Sequence, residues 1–186
     1  MLFPIALGEV ILCWIVWLFG FLGPHRRAAG QKKVVHDPVA RWGILLQIVA
    51  YGMACADARP AGFEKPAWSL IIAMLFAPTG VALAWPAARR LGKQFRIEAA
   101  LSQDHELIQT GPYRWVRHPI YASMLAMLLA TGFVWTWWPT FAAAVIVFLL
   151  GTEIRVRAED RLLRERFGDA FEAYRSRVPA YIPFVR

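Results

Sequence analysis

The chain is 186 residues long, 58% hydrophobic and only 18% charged, with a mean hydropathy of +0.42. A soluble domain of this length needs far more polar surface, so the composition points to the bilayer as solvent. The net charge of +8 raises nucleic acid as a partner. The Lys and Arg residues lie between apolar runs, however, and form no separate basic module, which favours membrane lipid headgroups and argues against nucleic acid.

A membrane helix needs about 20 largely apolar residues. Phe3 to Gly23 supplies the first such run, interrupted only by Glu9. It has no basic region ahead of it and no small-residue cleavage site, so it reads as a retained helix and not a signal peptide. Glu9 lies near the outer end, where snorkelling to the interface accounts for it. Trp42 to Ala56 is a shorter uncharged run, and Pro66 to Ala88 is a third, with a kink expected at Pro78. Cys13 and Cys55 fall inside apolar stretches, and their placement suggests neither a disulfide framework nor a metal site.

From Pro119 to Thr152 no Asp, Glu, Lys or Arg occurs. A single helix of that length would extend about 50 Å and overshoot the hydrocarbon. Gly132 and Trp135-Thr136-Trp137-Trp138-Pro139 mark a break into two helices joined by an aromatic turn. Basic residues support this hairpin. They crowd the first loop (Arg26, Arg27, Lys32, Lys33, Arg41), the third loop (Arg89, Arg90, Lys93, Arg96, Arg114, Arg117) and the tail from Arg155 onward, while the second loop holds only Arg59 and Lys65. The positive-inside tendency then gives five spans, with the N-terminus outside and the C-terminus in the cytoplasm of a cell inner membrane. The expected fold is thus an all-α integral membrane protein of about five transmembrane helices. Residues 1–90 form a three-span region, and 91–186 a loop, helical hairpin and cytoplasmic C-terminal helix.

Polar sequence gathers in two segments on the cytoplasmic side. In the first, Gly111-Pro112 reads as a turn and Pro119 as the first turn of the fourth span, which sets Arg117 and His118 at a helix N-terminus suited to negative charge. In the second, the fifth span emerges as a charged helix, with Arg155 and Glu159 one turn apart on one face. The hairpin brings the two segments together. Arg114 reads as a snorkelling anchor, and Phe167, Phe171 and Tyr174 as docking contacts of the tail. His25 and His36 have no partners in the pattern.

In order, His105-Glu106-Leu107-Ile108, Gly111-Pro112-Tyr113-Arg114 and Arg117-His118-Pro119-Ile120-Tyr121 are followed by Arg155, Glu159-Asp160 and Phe167-Gly168. Tyr174-Arg175, Val178-Pro179 and Ile182-Pro183 close the series. Over Leu91 to Phe184 this pattern resembles the isoprenylcysteine carboxyl methyltransferases and their relatives, the phospholipid methyltransferases. The resemblance implies S-adenosylmethionine as cofactor, in a pocket formed by the last two spans, the preceding loop and the C-terminal helix. It carries cofactor contacts to Glu98, His105, Glu106, Leu107, Ile108, Tyr113, His118, Pro119, Ile120, Tyr121 and Glu159. Arg155 takes the position associated with the acceptor's carboxylate and is the catalytic and substrate-binding candidate, with Arg117 as a second substrate contact. Two departures stand out: Ser123 where the family often has Gly, and Glu159-Asp160 where it has paired glutamates.

The expected reaction is methylation of a carboxylate on a lipidic, prenylated small-molecule acceptor. An amine, thiol or phenol of another lipid is the alternative, and an amine or phenol would need a base such as Glu159, Asp160 or His118. A membrane scaffold or a transporter is the reading from outside enzymes. A transporter places paired polar groups near the bilayer midplane, and these spans carry almost none. No pattern in the sequence sets an oligomeric state.

Overall fold

The computed structural model describes residues 2–28, 34–56, 62–95, 100–102 and 106–182. Among them the chain forms α1 (Leu2–Ala28), β1 (Val34–His36), α2 (Ala40–Cys55), α3 (Ala67–Leu91), β2 (Ala100–Ser102), α4 (Pro119–Val134), α5 (Trp138–Phe167) and α6 (Asp169–Arg175). Three of these helices, α1, α3 and α5, are long and apolar enough to cross a membrane, while α2 and α4 are shorter apolar helices. The architecture is helical as expected, with one small addition. β1 and β2 pair antiparallel, Val34 opposite Ser102, and tie the loop before α2 to the loop after α3.

α2 and α3 bury mainly small residues and turn large ones outward. On α2 the buried positions are Ala40, Gly43, Gln47, Ala50 and Ala54, spaced three or four apart. Trp42, Leu45, Ile48 and Val49 of the same helix are exposed. On α3 the stripe is Ser69, Ala73, Ala77, Gly80, Ala84 and Ala87, with Trp68, Ile71 and Leu75 outside. Lipid gives no reason to bury large apolar side chains between helices, so association rests on close backbone approach, which small residues permit. α3 packs on α1 and α4, and α2 packs on α5.

Two glycine contacts show how tight this approach is. A Cβ at Gly43 would lie 2.5 Å from the Gly151 carbonyl oxygen and 2.5 Å from Arg155 Cγ. At Gly132 it would meet the Phe141 ring at 2.0 Å, which brings α4 and α5 together at their turn. That turn, Trp135 to Trp137, falls where the aromatic cluster predicts it. Pro119 and Pro139 open α4 and α5 at positions whose N–H groups need no helical partner. α3 runs without interruption through Pro78 and Pro86.

α5 has 30 residues against 16 in α4, so at 1.5 Å per residue it projects about 20 Å past the start of its partner. The charged run from Glu153 onward occupies this projection. The hairpin therefore has an aromatic end at the turn and an ionic end at His118.

Candidate functional site

The ionic end is ordered by depth along α5. Deepest is a layer made with α2. Gln47 sits 2% exposed in its small-residue stripe; its Nε2 donates to Thr152 Oγ1 at 2.9 Å, and its Oε1 accepts from Arg155 Nη1 at 3.0 Å. One turn further out, Arg155 Nη2 faces Glu159 Oε1 at 3.8 Å. The guanidinium also lies over the Tyr121 ring, its Cζ 4.8 Å from the centroid. Tyr121 donates its hydroxyl hydrogen to the same Glu159 oxygen, so the start of α4 is joined to α5 at this level.

Outermost is His118, buried between two carboxylates. Its Nδ1 lies 3.2 Å from Glu159 Oε2 and its Nε2 2.9 Å from Asp160 Oδ1. Arg117 Nη2 donates to Asp160 Oδ2 at 2.9 Å. Burial alone would lower the pKa of His118, but the hydrogen bonds and charges of Asp160 and Glu159 outweigh it and raise the imidazole to about 9. His118 is therefore a cation at neutral pH, held by two acceptors, with no free lone pair to serve as a base.

A C-terminal strap closes this layer. Backbone N–H groups of Arg117 and His118 donate to the carbonyls of Pro179 (2.8 Å) and Ala180 (2.7 Å). Arg117 Nη1 donates to the carbonyls of Arg175 and Val178. Pro119 leaves the helix N-terminus without one donor, and the strap takes the two immediately before it. α6 supports the strap from beneath: Phe171 and Tyr174 are buried, and Tyr174 donates to the Tyr113 carbonyl at 2.5 Å. Phe171 and Tyr174 are docking contacts, as their spacing predicts, and Phe167 is half-buried.

The sequence candidates do not all meet. Arg117, His118, Tyr121, Arg155 and Glu159 join one hydrogen-bonded and ionic network. Pro119 and Ile120 are part of its scaffold, as the first turn of α4. Tyr113 lies beside it: its hydroxyl donates to the Ala87 carbonyl at 3.5 Å, and burial, with Glu159 and Tyr174 nearby, pushes its phenol up so that it stays neutral. Glu106 is exposed and its backbone N–H donates to Gln94 Oε1 at 2.9 Å, while Leu107 and Ile108 are half-buried. Glu98 and His105 lie outside the described residues.

Both departures from the pattern are accommodated. Ser123 is fully buried, donates to the Ile120 carbonyl at 2.7 Å and accepts from Trp17 Nε1 of α1 at 3.3 Å. Asp160 bridges His118 and Arg117, with Arg175 Nε at 3.9 Å. Gln47 was not among the sequence candidates. A polar residue in the middle of the stripe Ala40, Gly43, Gln47, Ala50, Ala54 is the signal that would have found it.

A family model described as phospholipid methyltransferase matches residues 68–170, more than half of the chain. The chain belongs to the phospholipid methyltransferase family. The matched stretch includes α4, nearly all of α3, and α5 with every α5 residue of the network. Among curated relatives of this family member, the uncharacterised Bacillus subtilis protein YpbQ is 25% identical over 66% of this chain and 72% of its own length. A protein-S-isoprenylcysteine O-methyltransferase of Schizosaccharomyces pombe is 31% identical over 45% of this chain. The nickel-cobalt-cadmium resistance protein NccN of Alcaligenes xylosoxydans is 33% identical over 42%. The alignments span 36% of the length of each of these last two proteins.

Proposed function

We propose that the chain is an integral membrane methyltransferase that uses S-adenosylmethionine to methylate a carboxylate on a lipidic acceptor of the isoprenylcysteine type. The observation that carries this reading is the position of Arg155. It is buried at the boundary between the small-residue interface of α2 with α5 and the ionic layer of His118, Glu159 and Asp160.

The donor set suits the cofactor in charge and in reach. Glu159 has 25% of its side chain exposed, against 6% for His118 and 11% for Asp160, so it is the carboxylate of the network that reaches the surface. Glu159 would accept from the ribose or amino group, with His118 and Tyr121 fixing its two oxygens. Glu98, His105 to Ile108 and Tyr113 would complete the binding region. S-adenosylmethionine, when bound, supplies a methyl group on a sulfonium.

Attack by a carboxylate on that methyl group needs no proton removed, so the protein has to bind and align. Holding two reactants in line contributes up to about 7–11 kcal/mol. Arg155 would orient the acceptor carboxylate through charge-assisted hydrogen bonds. Arg117, with its Nη atoms on Asp160 and the strap carbonyls, would act by positioning the strap and His118. The depth order supports this division: an apolar tail approaches from the bilayer side of Arg155, and the cofactor from the water side of Glu159. Protonation of His118 up to about pH 9 also disfavours an amine or phenol acceptor that would rely on this residue as its base.

The topology that goes with this reading has five spans, the N-terminus outside, and the site and C-terminus in the cytoplasm of the inner membrane. Titration calorimetry of the detergent-solubilised protein with S-adenosylmethionine, followed by turnover with farnesylcysteine, phenolic-lipid and aminophospholipid acceptors, tests it. Saturable cofactor binding and methyl ester formation on farnesylcysteine are expected. Binding without any methyl transfer to the carboxylate would shift the assignment to another acceptor, and no binding would remove it.

A further inference from the structure

Gln47 is the feature of the site that the methyl-transfer reading does not use. A buried primary amide in an apolar helix is costly unless its polar atoms are satisfied. Here both ends have partners. A guanidinium can only donate, so the atom facing Arg155 Nη1 at 3.0 Å must be the amide oxygen. The amide nitrogen is then left to donate to Thr152 Oγ1 at 2.9 Å, as it does. This fixes the orientation of the amide.

The backbone is arranged to deliver that contact. Gly43 lies one turn before Gln47 on α2, and Gly151 one turn before Arg155 on α5. A Cβ at Gly151 would come within 2.7 Å of the Gly43 carbonyl oxygen, and one at Gly43 within 2.5 Å of Arg155 Cγ. The two helices thus meet at the stem of Arg155, and the next turn of α2 reaches its guanidinium. Among the described residues, groups from three helices face that guanidinium, including the Gln47 carbonyl from α2, the Tyr121 ring from α4 and the Glu159 carboxylate from α5. From the α2 side the partner is polar but neutral, so it orients the guanidinium without cancelling its charge.

We propose that Gln47 is a positioning and specificity-determining residue, which aims the Arg155 guanidinium at an anionic acceptor and, being neutral, preserves its attraction for that anion. This rests on the reading of Arg155 as the acceptor's carboxylate contact. It also assigns the first half of the chain a role in acceptor selection, through α2.

The test compares Gln47→Glu and Gln47→Met with the unaltered protein and with Arg155→Ala, all as full-length chains in detergent. Calorimetry gives the Kd for farnesylcysteine in the presence of S-adenosylhomocysteine, and separately the Kd for S-adenosylmethionine; thermal unfolding gives Tm. A glutamate fits the same space and pairs with Arg155, so Gln47→Glu is expected to fold with Tm at or above the original. Its farnesylcysteine Kd should rise at least tenfold while cofactor Kd stays within twofold. Gln47→Met removes the aim but not the charge, and should raise the farnesylcysteine Kd by a smaller factor, about threefold.

Unchanged farnesylcysteine affinity in Gln47→Glu overturns the proposal, as does a parallel loss of cofactor affinity and Tm, which would mark a merely structural residue. If Gln47→Glu does not fold, an original farnesylcysteine Kd in Gln47→Met is the overturning result. Arg155→Ala separates the two levels: original farnesylcysteine affinity there defeats the assignment of Arg155 itself, whereas a defect there with none at Gln47 defeats only this inference. Unaltered protein that binds the cofactor but not farnesylcysteine defeats both.

Discussion

The two ends of the α4–α5 hairpin do opposite things with charge. At the aromatic end, Lys65 is half-buried, donates to the Gly132 carbonyl at 2.9 Å and rests on the Trp138 ring with Nζ 3.4 Å from the centroid. Trp68, Phe133 and Phe141 pack around the same ring. At the ionic end, Arg117, His118, Arg155 and Asp160 are all buried and are wired together with Glu159. A single cation at an interface can be settled by a carbonyl and a ring face. A group of five ionisable side chains, four of them buried, is expensive to desolvate, and well-packed apolar residues would hold two helices together at less cost. The contrast teaches that the aromatic end suffices for closure, whereas the ionic end costs stability that closure does not require, which fits the functional role proposed for it.

The largest way to break the contrast is Asp160→Ala. It leaves Arg117 and His118 buried without their shared carboxylate, and loss of one partner of a buried pair costs about 3–5 kcal/mol. Chemical denaturation in detergent should show this loss, together with a strap that proteases cut more readily after Arg175 and Arg177.

Next comes pH. His118 is raised from 6.5 to about 9, so the folded state holds this proton more tightly than the unfolded state. The associated stability is complete below about pH 6.5 and is lost as pH rises through about 9. Thermal unfolding followed from pH 6 to pH 9.5 should show Tm falling over that window, and His118→Gln should flatten the fall.

The smallest effect is expected at the other end. Lys65→Met removes the ammonium from the Trp138 ring face and from the Gly132 carbonyl but keeps the apolar stem, for a loss of about 1 kcal/mol. Turnover should be unchanged, because Lys65 sits at the turn, at the opposite end of the hairpin from the ionic network. A loss as large as that of Asp160→Ala would dissolve the distinction between the two ends.

Much of this was legible in the sequence, for physical reasons that can be traced. The hairpin break at Trp135 to Pro139 was readable because a 50 Å helix does not suit about 30 Å of hydrocarbon. The meeting of His118 with Glu159 followed from the hairpin, since both flank it on the same side. The pairing of Gln47 with Arg155 was not readable, even though its place in the stripe was, because packing α2 on α5 is a long-range choice made by Gly43 and Gly151, and neither announces its partner. The partners of Arg117 were also hidden: they include backbone carbonyls of Arg175 and Val178, and carbonyls have no sequence signature. The β1–β2 ladder escaped notice because three-residue strands carry too little alternation to detect.

The most direct test of the account is Arg155→Ala, measured for cofactor affinity and for methyl transfer to farnesylcysteine in the same preparation. Arg155 is assigned to the acceptor and Glu159 with His118 to the cofactor, so the two readouts should separate. Turnover is expected to fall on the order of 100-fold or more, with the Kd for S-adenosylmethionine close to that of the unaltered protein. A collapse of cofactor binding with normal turnover at saturating cofactor would contradict the account.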